Sequence, residues 1–410
     1  MKSRIVKLAV ASCSLLFHAG VPCFAKPMQA AFSRDVKHAV LPVLPMASMS
    51  YWEPSGTMSP DGRWLAYFDA RPKNRDKVVF YDLIKFRHWV MDAGRIIPDS
   101  YSTRVLSWRQ DSRACAVGAA GGWRVAWPDT RRTRRISRSA PGGESCAAWS
   151  PHTNRLAMFE GFLGNGLYRV WDGRRLTKGV EWRKAVDYPY GEERAWQCEW
   201  SPDEKLILFR FYGHAERDSY SSGHTVVVNP RRGRRRFDWG AEAGPAHWLD
   251  KSRLIFEGDD EGLGLNSGLT VAKPVAHQSN NWLKNAVAWT LSPQRDAIWA
   301  LTTEGHLCRT PAKRRDWQII RRNAVSSKAL RFMSPSMSFS PRGDMVAFCH
   351  TFGGSNISVV STSPKRPWTI SWRAPVGIVK ILGWASGKSL PLLELQRKEG
   401  SPGVVIQLKK

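Results

Sequence analysis

The sequence lacks the local motifs that mark most enzyme chemistries. It has no Gly-x-x-x-x-Gly-Lys-[Ser/Thr] phosphate loop, no His-Glu-x-x-His, no Gly-x-Gly-x-x-Gly after a strand and no Gly-x-Ser-x-Gly nucleophile elbow. His214-Ala215-Glu216 matches the His-x-Glu of zinc deaminases, but the Pro-Cys-x-x-Cys that completes that site is missing. Acidic residues are scarce too: 35 Asp and Glu stand against 62 Lys and Arg, for a formal charge of +27. An excess of this size predicts attraction to polyanions such as acidic lipid head groups, anionic cell-wall polymers or nucleic acid.

Long apolar runs are missing as well, and no stretch approaches the roughly 20 residues that a membrane-spanning helix requires. The nearest is Leu8–Phe17, preceded by Lys2, Arg4 and Lys7 and followed by Cys23-Phe24-Ala25. A basic start, a short apolar middle and small residues at both cleavage positions predict a secretory signal peptide over residues 1–25. An uncleaved anchor is too short to span. The lipobox-like Val10-Ala11-Ser12-Cys13 leaves almost no apolar segment before it. Export of a chain starting at Lys26 to the periplasm or the medium is the expectation, which removes nucleic acid from the expected partners.

What the chain does have is one phrase repeated eight times. Its fullest form is Trp200-Ser201-Pro202-Asp203-Glu204-Lys205-Leu206-Ile207-Leu208-Phe209, and variants open at Met58, Trp108, Trp149, Trp248, Leu291, Phe339 and Trp384. The intervals are 50, 41, 51, 48, 43, 48 and 45 residues. A period in the forties with strand chemistry in each unit is the signature of a β-propeller. Seven residues after each opener stand Leu65, Cys115, Leu156, Ile207, Ile255, Ile298 and Val346, which predicts one buried side chain at the same point of seven second strands. The eighth such position is Pro391.

Each unit reads as four strands; in the fourth they are Gln197–Trp200, Leu206–Phe211, Thr225–Asn229 and Arg235–Trp239. Pro presets the intervening turn, Asp bonds back to nearby amides and Gly tolerates positive φ, so the recurring aspartates are turn formers and not catalytic acids. The last unit ends after Gly403–Leu408 without a fourth strand. Residues 36–43 precede the first unit and are expected to supply it, closing the ring and removing exposed edges. The expectation is therefore an all-β chain, a single propeller over residues 26–410 with eight blades, or alternatively seven.

Five cysteines remain after the leader: Cys115, Cys146, Cys198, Cys308 and Cys349, an odd number with no Cys-x-x-Cys pair. Each sits in an apolar strand phrase and reads as a buried small side chain. A Cys115–Cys146 bond between neighbouring blades is the alternative.

The phrase Trp-Ser-Pro-Asp-x-x-Leu-x-x-Phe resembles the WD40-like repeat of TolB-type propellers, a group that includes the propeller domains of prolyl-oligopeptidase-like peptidases. The resemblance extends over nearly all of residues 36–410. It departs from both relatives, because no α/β domain precedes the repeats and no hydrolase elbow is present. It implies the propeller alone.

Two groups of residues are candidates for binding. The longest loop between a second and third strand, Tyr212–His224, holds His214, Glu216, Asp218 and His224, and the equivalent loop of blade five holds Asp259, Asp260 and Glu261. They read either as a small-ligand or cation site at the channel mouth, with oxygens suited to calcium, or as solvated polar loops. The second group is basic and falls at the turn between third and fourth strands. It comprises Arg131, Arg132, Arg134 and Arg135 in blade two, Arg174 and Arg175 in blade three, and Arg231, Arg232, Arg234, Arg235 and Arg236 in blade four. Lys313, Arg314 and Arg315 continue it in blade six, and Lys365 and Arg366 in blade seven. Equivalent turns project from one face, so these residues are expected to form one basic arc. The expected function is a monomeric, exported, non-enzymatic scaffold without a resident cofactor, docking a protein or an anionic envelope partner. A propeller hydrolase or lyase with its site at the channel mouth is the alternative.

Overall fold

The structure, a computed structural model, describes residues 37–409 apart from 45–55, 75–76, 95–104, 120, 139–144, 163–164, 179, 183–192, 215–220, 231–234, 243–245, 258–267, 277, 326–336, 350–355, 364–367, 374–377, 386–390 and 396–403. The strands assemble into eight four-stranded antiparallel blades. Seven blades take their strands in consecutive order from inside to outside; the eighth is completed by the first strand of the chain. There Lys37–Val40 pairs antiparallel with Val404–Lys409, with Lys37 opposite Lys409 and Val40 opposite Ile406. Leu41 continues the seam by donating its amide to the Val405 carbonyl, and its side chain packs with Leu65, Tyr67 and Leu392. One short segment thus joins the last blade to the first.

The repeated phrase has a physical explanation at each position. In blade four the Ser201 amide donates to the Leu206 carbonyl, and the Ser201 hydroxyl accepts the Leu206 amide while donating to Asp203. Ser59 does the same with Trp64 and Asp61. In blades six and seven Ser292 and Ser340 instead use the aspartate four residues on, Asp296 and Asp344. The aspartates are thus consumed in the turns, as their spacing predicts.

The position four residues after the opener has positive φ: Gly62, Ser112, Glu204, Arg295 and Gly343 all adopt it. Glycine accepts this conformation without cost, and other residues are strained by it. The three non-glycine residues offset that strain by bonding to the preceding blade. Ser112 accepts the Asp61 amide at 2.9 Å. Glu204 binds the His152 amide and the Arg155 guanidinium and accepts the Ser150 hydroxyl. Arg295 donates to the Trp248 carbonyl.

The openers stitch the inner strands together. Trp108, Trp149, Trp200 and Trp248 each donate their indole N–H to the backbone carbonyl of the residue before the opener of the preceding blade: Thr57, Ser107, Ala148 and Glu199. Trp384 reaches the Ser338 hydroxyl instead. Blade one opens with Met58, which packs against Gly383, where any side chain would collide with it. Phe339 of blade seven packs edge-on against Trp299 of blade six.

Leu65, Cys115, Leu156, Ile207, Ile298 and Val346 are fully buried opposite their openers. Blade five departs from this register. Its turn, Leu249–Arg253, is one residue shorter, so Trp248 pairs with Leu254, and Ile255 pairs with His247. Ile255 is still buried, but in a different core cluster from Leu254. Cys115 and Cys146 form no disulfide. Cys146 lies instead in the core between blades three and four with Cys198, whose thiol is pushed up by burial and by Cys146 beside it.

Candidate functional site

Strand direction alternates within each blade, so the turns after the inner strands and the turns after the third strands open on one face. On that face the arginines of blades two and three meet. Arg131 occupies the turn of blade two, but Arg132–Arg135 is the outer strand itself and not the turn. An outer strand with no covering layer needs no apolar alternation, so its polar sequence reads as a loop. Arg131, Arg132, Arg134 and Arg135 are all exposed. Arg174 and Arg175 lie in the equivalent turn of blade three, exposed, with both amides bound by Asp172. Those two bonds hold the Asp172 carboxyl below the usual carboxylate range.

Arg134 joins the two clusters. Its guanidinium donates to the Gly173 carbonyl at 3.3 Å and to the Arg174 carbonyl at 3.1 Å, and it lies 5.8 Å from the Trp171 ring. Blade one is tied to the same surface through Arg63. This side chain binds buried Asp82 at 2.9 Å within its own blade and Asp129 in the turn of blade two at 2.8 Å. Burial acts to raise the Asp82 pKa, but Arg63 and the amides of Ile84 and Lys85 outweigh it and hold the carboxyl low.

Lys313, Arg314 and Arg315 are exposed in the turn of blade six, and Arg315 also donates to the Trp282 carbonyl. Arg231, Arg232 and Arg234 of blade four and Lys365 and Arg366 of blade seven lie outside the described residues. Arg235 and Arg236 begin the outer strand Arg235–Glu242 of blade four and do not belong to the turn.

The loop between second and third strands of blade four is shorter than expected. The strands run to His214 and resume at Ser221, with His214 opposite Ser221 and Phe211 opposite His224. His214 and His224 are therefore strand residues. Glu216, Asp218, Asp259, Asp260 and Glu261 lie outside the described residues. Among the described residues no group of three or more His, Cys, Asp or Glu is placed to hold a metal ion.

A titratable cluster that sequence reasoning missed sits on the inner strands. Glu199 precedes the opener of blade four and His247 that of blade five; His247 Nδ1 is 2.6 Å from one Glu199 oxygen. Arg295 of blade six is 2.7 Å from the other. Burial alone would raise the Glu199 pKa, but His247 and Arg295 together hold it below the ordinary value. Beside Arg295, the short turn of blade five leaves an open depression of about 500 Å³, floored by Leu249–Ser252 and walled by Pro202 and Gln294. The signal was present as three polar residues at equivalent or turn positions of successive units, but only the fold brings them together.

These features define an eight-bladed β-propeller. No known protein-family model matches the chain, and no curated protein sequence matches it. Among solved structures, one described as "Crystal Structure of Mitotic Checkpoint Complex" aligns over 94% of this chain and 98% of its own, at 12% identity and a TM-score of 0.46. Another, "Crystal structure of the eukaryotic initiation factor", aligns over 90% and 91% respectively, at 9% identity and a TM-score of 0.47.

Proposed function

We propose that this chain is an exported, non-enzymatic binding scaffold of the cell envelope, built on a TolB-like repeat, whose basic rim docks an anionic partner. Propellers in general serve as scaffolds for protein binding, and their specificity lies in the surface grafted on the fold. The observation that carries the reading is the bridge from Arg134 to the turn of blade three, which turns two arginine clusters into one surface. The overall charge of +27 supports the same polarity of partner. The signal-peptide reading of residues 1–25, which lie outside the described residues, supports export.

Two measurements test this. Mass spectrometry of the N-terminus is expected to give a chain starting at Lys26; an intact Met1 start in the cytoplasm contradicts export. Retention on immobilised polyglutamate is expected to fall steeply between low and physiological salt, where screening shortens the reach of charge to about 8 Å. Retention that ignores salt contradicts the docking role.

One observation favours a second reading, a hydrolase or lyase site at the channel mouth. The Glu199–His247 pair has the geometry by which a carboxylate orients a general base, and the depression beside Arg295 offers space for a small ligand. Loss of a measured turnover in His247→Ala, with folding intact, would select this reading over the scaffold. A stoichiometric metal in the purified protein would favour it as well.

A further inference from the structure

The turn of blade one breaks the basic pattern of its neighbours. Where blades two and three carry arginines, blade one reads Leu83-Ile84-Lys85-Phe86. Ile84 is 56% exposed and Phe86 59%, and they are two of the three large apolar side chains that stand exposed among the described residues. The turn is rigidly built. The buried Asp82 carboxylate accepts the amides of Ile84 and Lys85 at 3.0 Å each, and Leu83 donates to the Arg63 carbonyl. Phe86 has φ 51, the same left-handed conformation as Arg131 at the equivalent position of blade two. Glycine would fit there without strain, and a bulky aromatic does not. A strained, exposed phenylalanine that packs no core points to a use outside the fold.

We propose that this turn inserts into an acidic lipid surface, with the arginines of blades two and three holding the head groups. The inference rests on the anionic-partner reading and names the partner within it. An acidic polymer needs only charge, whereas Ile84 and Phe86 offer apolar surface for the boundary between head groups and acyl chains. The charge complement is adjacent: Arg63 links blade one to Asp129 of the blade-two turn, and Arg134 extends the surface to Arg174. Lys85 lies between the two apolar residues and Arg87 follows them, both exposed. Basic residues around an apolar tip are the arrangement that acidic bilayers attract and retain.

The test is co-sedimentation at low salt of the full chain with phosphatidylglycerol vesicles, with phosphatidylcholine vesicles and, separately, retention on polyglutamate. The variant is Ile84→Ser with Phe86→Gly, in which glycine relieves the backbone strain and thermal melting confirms the fold. Wild type is expected to bind phosphatidylglycerol and not phosphatidylcholine. The variant is expected to lose at least about tenfold in vesicle affinity, beyond what salt-sensitive attraction alone sets, with polyglutamate retention unchanged. Equal vesicle binding by both proteins, or equal losses on both probes, overturns insertion and leaves the anionic reading intact. Wild-type retention on polyglutamate without vesicle binding also overturns insertion and points to a polymer or protein partner. Equal binding to both vesicle types removes the charge half of the proposal, and binding to no probe overturns the anionic reading itself.

Discussion

The indole nitrogen of Trp149 donates to the backbone carbonyl of Ser107 at 2.9 Å, across the seam between blades two and three. Ser107 immediately precedes the opener Trp108, whose own indole reaches Thr57 in blade one. The repeat therefore encodes its own assembly: each tryptophan both begins a blade and fastens it to the one before. Neither residue is explained by the strand it sits in.

Replacing Trp149 with Phe keeps an aromatic ring in the core and deletes the donor. The Ser107 carbonyl then loses its inter-blade donor, and the loss is expected to be about 1–2 kcal/mol of folding stability. Chemical denaturation checks this; an unchanged midpoint would show that water replaces the bond at no cost. Polyglutamate retention is expected to change little, since Phe keeps an aromatic ring beside Trp171, against which Arg134 lies.

Glu204 carries a pH dependence. Burial acts to raise its pKa, but the Ser150 hydroxyl, Arg155, the His152 amide and Thr153 bring it down from 4.5 to about 2. A carboxylate with a depressed folded pKa stabilises the fold above its unfolded value and loses that contribution as pH falls through the folded one. The loss is therefore expected between pH 4.5 and about 2. Denaturation midpoints over this window are expected to fall less steeply in Glu204→Gln than in wild type, while at pH 7 the variant is less stable by about 1–3 kcal/mol. Parallel slopes would remove Glu204 from the acid response.

Ring closure makes a third expectation. Deleting residues 26–44 removes the strand Lys37–Val40 and the packing of Leu41, Val43 and Leu44 on blade one. It bares the Val404–Lys409 edge, so stability is expected to drop by several kcal/mol and the chain to self-associate. A monodisperse monomer with an unchanged melting temperature contradicts closure.

The propeller was legible because its determinants are local and repeated. Ser201, Asp203 and Ile207 each act within ten residues of Trp200, and one good copy explains the rest. Blade five shows the limit: counting seven from Trp248 gives Ile255, while the shortened turn puts Leu254 in that place. Residues that act across blades were not legible. Glu199, His247 and Arg295 are separated by 48 residues at each step, and their conjunction depends on the ring. The basic turns were visible as composition, yet Arg132–Arg135 proved to be a strand, because an exposed outer strand has no face that sequence alternation must serve.

On the reading proposed above, the arginines of blades two and three are a docking surface and not solvated decoration. Its most direct test is a fivefold substitution of Arg131, Arg132, Arg134, Arg174 and Arg175 by serine, with polyglutamate affinity and denaturation midpoint measured on the same sample. These side chains are exposed, so folding stability is expected to change little, within about 1 kcal/mol once the Arg134 bridge is included. Affinity at low salt is expected to fall at least about tenfold and to lose most of its salt dependence. Equal affinity and equal salt sensitivity in the two proteins, with both folded, would show these arginines to be solvated decoration.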